Sequence, residues 1–108
     1  MIDMTKLPFL SSISGPDTIA AGQPFELQLQ GQWPTPSWSH SETVMKMNEE
    51  AKEVEISYLG KSGGGLAMQV IQPFSTKFEV KLPSSGSWKI IILGRGQQLE
   101  HHIEVTNQ

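Results

Sequence analysis

The stretch that decides the fold is Leu82-Pro83-Ser84-Ser85-Gly86-Ser87-Trp88-Lys89-Ile90-Ile91-Ile92-Leu93-Gly94. A Pro/Ser/Gly turn leads into a largely apolar run of six residues, 88–93, and a Gly-Arg-Gly turn ends the run. The run is too short to span a membrane or to form a free-standing helix. It therefore predicts the central strand of an antiparallel sheet.

Other segments alternate apolar and polar residues, which is typical of strands with one buried face. They are residues 25–30, 54–58, 78–82 and 99–105, and residues 41–47 form a weaker strand. Residues 66–71 are either an edge strand or an ordered loop, and residues 60–65 are a flexible connection. Seven or eight short strands separated by turns indicate an all-β fold, an antiparallel β-sandwich.

Composition narrows the class of protein. A chain of 108 residues suits one domain, and its formal charge of -3 argues against nucleic-acid binding, which needs a basic surface. The absence of cysteine excludes a disulfide, a thiolate metal site and a thiol nucleophile. We expect no cofactor and no membrane contact.

Residues 1–12 are expected to be a loose N-terminal segment or a short first strand, and residues 13–106 the β-sandwich domain. The first segment contains Asp3, Lys6 and Pro8 and has no continuous apolar core, so we expect no signal peptide. The protein is then either cytoplasmic or the mature form of an extracytoplasmic protein.

Three segments carry a resemblance to bacterial immunoglobulin-like modules: residues 21–31 (Ala-Gly-Gln-Pro-Phe-Glu-Leu-Gln-Leu-Gln-Gly), 78–82, and 82–88 (Leu-Pro-Ser-Ser-Gly-Ser-Trp). The resemblance covers residues 15–106 and implies an immunoglobulin-like fold without implying an activity. Trp88 stands where many of these modules have a corner tyrosine. Its indole N–H replaces the tyrosine hydroxyl if a backbone carbonyl lies within reach.

In a seven-strand arrangement, three connections gather at one end of the sandwich. They hold the candidate partner-binding residues, which are Trp33, Pro34, Thr35, Trp38, Gly63, Gly64, Gly65 and Arg95. Aromatic and arginine side chains on loops are typical of protein-recognition surfaces. Under that hypothesis the change Trp33→Ala leaves the melting temperature nearly unchanged. Alternatively, the tryptophans cover the core; and if residues 66–71 are a full strand, Arg95 moves to the opposite end.

The same loops resemble those of chagasin-type inhibitors of papain-like cysteine proteases. Residues 34–38 (Pro-Thr-Pro-Ser-Trp) are similar to the first inhibitory loop, residues 62–65 (Ser-Gly-Gly-Gly) to the second, and Arg95 to the arginine of the third. This resemblance implies a papain-type protease as partner.

No enzyme motif is complete. The sequence Gly60-Lys61-Ser62 resembles the end of a phosphate loop, but Glu55 stands where that loop needs its first glycine. No Gly-x-Ser-x-Gly elbow occurs, and the acidic residues 49–55 are expected to be solvated on a hairpin. We therefore predict a protein that is not an enzyme.

A metal site is not expected either. His101 and His102 are adjacent in a strand and point to opposite faces. Met45 and Met47 share a strand face and are expected to pack in the core, with His40 on the other face. His101, between Leu99 and Ile103, is expected to be partly buried and hydrogen-bonded.

Ile91 and Leu93 lie on the second face of the central strand and need cover. The N-terminal residues 7–10, a second copy of the chain, or a host protein can supply that cover. Together the sequence predicts a non-catalytic interaction or structural module that binds a protein partner through its end loops or its outer sheet face.

Overall fold

The computed structural model describes residues 6–35, 37–63 and 71–107. These residues form strands and no α-helix, which confirms the all-β prediction. The strands are β1 (Phe9–Ser14), β2 (Thr18–Ala20), β3 (Phe25–Trp33), β4 (Trp38–Asn48), β5 (Glu53–Ser62), β6 (Gln72–Val80), β7 (Gly86–Gly94) and β8 (Gln97–Thr106). Strand β1 crosses the boundary that the sequence placed at residue 12, and β5 includes residues 60–62, which were expected to be flexible.

The strands make two sheets, with orders β1-β3-β6 and β2-β8-β7-β5-β4. Strand β7 is in the middle of the five-stranded sheet, as its apolar run predicts. The prediction of a wholly antiparallel sandwich is wrong, because β7 runs parallel to β5 and β2 runs parallel to β8. The five-stranded sheet is therefore mixed.

The parallel pairing follows from the unequal polarity of the β4–β5 hairpin. Strand β5 is buried at Val54, Ile56 and Leu59, whereas almost every residue of β4 is exposed. Burial of apolar surface favours β5 beside β7 and leaves β4 at the sheet edge. Strand β4 is antiparallel to β5 and would therefore pair antiparallel with β7. With β5 in that position, the pairing with β7 is parallel.

Both sheets contribute to a single apolar core. Leu27, Leu29 and Val80 come from the three-stranded sheet, and Ile56 and Ile90 come from the five-stranded sheet. In the described ranges, every buried side-chain nitrogen or oxygen has a hydrogen-bond partner. Burial of these apolar side chains between the sheets holds the two sheets face to face.

Trp88 closes the corner between β6 and β7. Its indole N–H donates to the Ser84 carbonyl at 2.9 Å, and its ring is buried in the core. The ammonium of Lys52 lies 5.6 Å from the ring centroid. The structure thus supplies the backbone carbonyl that an indole at this corner needs.

The prediction that Met45 and Met47 pack in the core is wrong. Their side chains are 40% and 43% exposed. They do share a face with Ile56 and Val54, their neighbours on β5. However, the facing sheet has three strands and the sheet that contains β4 has five. The narrower sheet therefore does not cover β4, which lies at the edge of the wider one.

Candidate binding surface at the loop end

The strand ends that flank three connections and the start of β1 meet at one end of the molecule, which we call the loop end. The strand register puts Trp33 beside Gln72, Trp38 beside Ser62, and Gly94 beside Gln97. The guanidinium carbon of Arg95 is 5.4 Å from the Trp38 ring centroid. Arg95 therefore lies at the same end as the tryptophans and not at the opposite one.

Aromatic rings stack at the base of the loop end. Trp33 has centroid distances of 5.9 Å to Trp38, 6.0 Å to Tyr58 and 5.1 Å to Phe74. His40 extends the group through Tyr58, at 4.2 Å. We call these residues the aromatic stack. Trp33 at its centre is only 4% exposed, so it cannot touch a partner without being displaced.

The two tryptophans were expected in a loop, but Trp33 ends β3 and Trp38 begins β4. A glycine makes room for Trp33. A Cβ atom on Gly60 would lie 2.5 Å from a Trp33 ring carbon and 2.9 Å from the Ser39 carbonyl oxygen. Gly60 thus permits the close approach of the indole to β5.

Hydrogen bonds join the first connection to the second. The Gly63 N–H donates to the Ser37 carbonyl at 2.7 Å, and the hydroxyls of Ser37 and Ser62 are 3.4 Å apart. Within the first connection, Thr35 and Ser37 bond through their hydroxyls at 2.8 Å, and the Trp38 N–H donates to the Thr35 carbonyl at 3.2 Å. These bonds hold the described residues of the two connections together.

Pro34 lies beside these bonds and is half-buried. The predicted contacts Gly64 and Gly65 lie outside the described residues, as do residues 66–70. The two alternatives for residues 66–70, an edge strand or an ordered loop, therefore stay predictions.

Arg95 ties the N-terminal segment to the loop end. Its Nε–H donates to the Leu7 carbonyl at 3.1 Å, and its backbone N–H donates to the Pro8 carbonyl at 2.8 Å. Its guanidinium also lies 5.3 Å from the Phe9 ring centroid. Sequence reasoning treated Arg95 as a cation for a partner and missed these intramolecular contacts, because nothing in the sequence links positions so far apart.

Phe9 and Ile71, which sequence reasoning missed, are exposed apolar residues at the loop end. Phe9 is 41% exposed and lies opposite Gln32 near the end of β3, and Ile71 is 58% exposed and directly precedes β6. The alternation in β1 was the available signal for Phe9, since an inward Leu10 turns Phe9 outward.

Ile91 and Leu93 are half-buried on the outer face of the five-stranded sheet. A shallow depression of about 190 Å³ opens beside Ile91. Among the proposed covering residues, Leu10 turns inward instead. A Cβ atom on Gly94 would lie 2.6 Å from the Leu10 Cγ, and Gly94 is on the core side of β7.

The histidines are on two strands, His40 in β4 and the adjacent His101 and His102 in β8. His101 is half-buried and its Nε2 is 2.9 Å from the Pro16 carbonyl oxygen, as expected for a hydrogen-bonded histidine. The placement of His40 away from the Met45 face was wrong, because a register shift between His40 and Glu42 brings His40 onto Tyr58. Nowhere in residues 6–35, 37–63 and 71–107 do three possible ligand side chains group around a metal position.

Comparison with known proteins adds no assignment: no family model, curated protein or solved structure matches the chain. In the part of the chain that the structure describes, no helix is long and apolar enough to cross a membrane.

Proposed function

We propose that this protein is a non-catalytic, immunoglobulin-like module that binds a protein partner, or a host protein, through its loop end. The observation that carries the proposal is the pair of exposed apolar side chains, Phe9 and Ile71, beside a tightly packed aromatic stack. Apolar side chains on a surface that is already ordered lose little conformational entropy on binding.

The immunoglobulin-like part of the proposal is supported by the two facing sheets and by the bond from Trp88 to Ser84 at the corner. One feature departs from that pattern. In immunoglobulin domains the third of the seven core strands pairs with the sixth. Here the strand that pairs with β7 is β5, the second strand of the β4–β5 hairpin. We therefore propose the likeness for the architecture and the corner, with a rearranged hairpin.

The roles within the loop end differ from residue to residue. Trp33 and Arg95 act on the partner through the shape of the surface, because both are engaged inside the molecule. Phe9, Ile71 and the half-buried Trp38 supply the contact itself. Large apolar side chains at the centre of an interface commonly carry most of its binding energy.

The test is cross-linking in cells that produce the protein, followed by calorimetry with the purified partner. We expect Phe9→Ser and Ile71→Ser each to weaken binding about tenfold or more, as hot-spot residues do. Met47→Ser is the matched control, since Met47 is similarly exposed but lies on β4 near its far end. A partner that is lost with Met47→Ser and retained with both loop-end variants would overturn the proposal.

A chagasin-like inhibitor is the second candidate. The observation in its favour is that described residues from all three similar segments lie together, with Ser37 bonded to Gly63 and Arg95 against Trp38. The test is a papain assay at about 10 µM protein, a concentration that detects even micromolar dissociation constants. Full papain activity at that concentration would reject this candidate, and inhibition that Gly63→Arg abolishes would support it.

A further inference from the structure

The free edge of β4 is a second surface, separate from the loop end. Strand β4 has eleven residues and pairs on one side with β5, and no other described strand lies along its second side. Strands in globular proteins average five or six residues. A long edge with unpaired backbone N–H and C=O groups is a template for pairing with another strand.

The charges on this edge are self-complementary. Glu42 and Lys46 are exposed, lie on the same face of β4 and flank Val44 at equal distances in the sequence. Within the described residues, neither side chain forms an ion pair. In an antiparallel pair of identical strands centred on Val44, Glu42 stands directly opposite Lys46 of the partner subunit, and Lys46 opposite Glu42 of the partner subunit.

From this symmetry we propose that β4 pairs antiparallel with β4 of a second copy of the chain, with Val44 on the two-fold axis. Directly opposite residues share a face, so each copy contributes a carboxylate and an ammonium to two equivalent ion pairs. The two five-stranded sheets join into one continuous sheet. Regular pairing runs from Glu42 to Lys46, because the register shift between His40 and Glu42 interrupts the strand beyond them.

Strand β6, the edge of the other sheet, is the competing edge for a second copy. Its opposite charges, Lys77 and Glu79, are symmetric about Phe78, which is only two residues from the end of the strand at Val80. Pairing there would use residues 76–80, as many as the regular pairing on β4, and Pro73 lacks an N–H on this edge. A dimer that Lys77→Glu disperses but Glu42→Lys does not would place the contact on β6.

Sedimentation velocity between about 1 and 200 µM protein tests the proposal, because dimerisation follows mass action. We expect a concentration-dependent dimer. Both Glu42→Lys and Lys46→Glu replace two attractive pairs with two repulsive ones, and each should raise the dissociation constant about tenfold or more. The double variant Glu42→Lys/Lys46→Glu restores the opposite charges and should return the dissociation constant to that of the original chain.

Lys77→Glu is the matched control, an equal charge reversal on β6, and it should leave the dimer unchanged. Thermal unfolding of each variant verifies that it is folded. Three results would overturn the proposal. They are a monomer at every concentration, a dissociation constant that the single charge reversals do not change, and a double variant whose dissociation constant does not return to that of the original chain. A dimer dispersed by Ile91→Lys but not by Glu42→Lys would place the contact on the outer sheet face instead.

Discussion

Replacing Trp33 with alanine removes the centre of the aromatic stack. The indole is 4% exposed and stacks on Trp38, Tyr58 and Phe74. Burying a tryptophan removes about 200 Å² from water, which at about 25 cal/mol per Å² amounts to about 5 kcal/mol. Alanine still buries part of that surface, and replacing a core tryptophan with alanine typically lowers the unfolding free energy by about 3–5 kcal/mol. The hypothesis of an unchanged melting temperature is therefore replaced by an expected large loss.

For a chain of this length, each kcal/mol shifts the melting temperature by about 4 °C, so a fall of about 12–20 °C is expected. The assay is urea and thermal unfolding followed by far-ultraviolet circular dichroism, which does not depend on the lost fluorophore. Trp38→Ala is the control and should cost about 1–2 kcal/mol, because that ring is only half-buried. A loss below about 1 kcal/mol for Trp33→Ala would refute the reasoning, since so small a cost is typical of surface positions.

Three further outcomes follow from the packing. Trp88→Phe removes the donor to the Ser84 carbonyl and should lower the unfolding free energy by about 1–3 kcal/mol in urea titrations. An unchanged urea midpoint would show that the hydrogen bond does not stabilise the fold. Gly60→Ala should cost about 1–3 kcal/mol in the original chain and less in the Trp33→Ala background, where only the 2.9 Å approach to the Ser39 carbonyl oxygen remains. Equal costs in both backgrounds would contradict the proposed contact with Trp33. Met45→Thr should change stability by less than about 0.5 kcal/mol, and a loss of several kcal/mol would place Met45 in the core.

The sequence predicted the candidate site only in outline. Aromatic residues, turn glycines and Arg95 marked the connections that meet at the loop end. Exposure could not be predicted, because it depends on what packs against each side chain. Trp33 is covered by rings from β5 and β6, whereas Phe9 and Ile71 are not.

The edge strand shows the same limit. Alternation correctly put Met45 and Met47 on one face of β4, but that face is buried only if another strand lies opposite it. The width of the facing sheet is a property of the whole fold and not of residues 41–47. A strict two-residue period likewise does not predict the bulge that places His40 against Tyr58.

By itself the sequence determined the all-β class, the approximate positions of β3–β8, the central position of β7 and the corner at Trp88. These features depend on local properties of the sequence, which are apolar periodicity and turn-forming residues. Only the tertiary structure decided that β5 and not β4 lies beside β7, and that Arg95 binds the N-terminal segment. Those outcomes are set by competition among distant segments for the same buried surface, which no single stretch of sequence records.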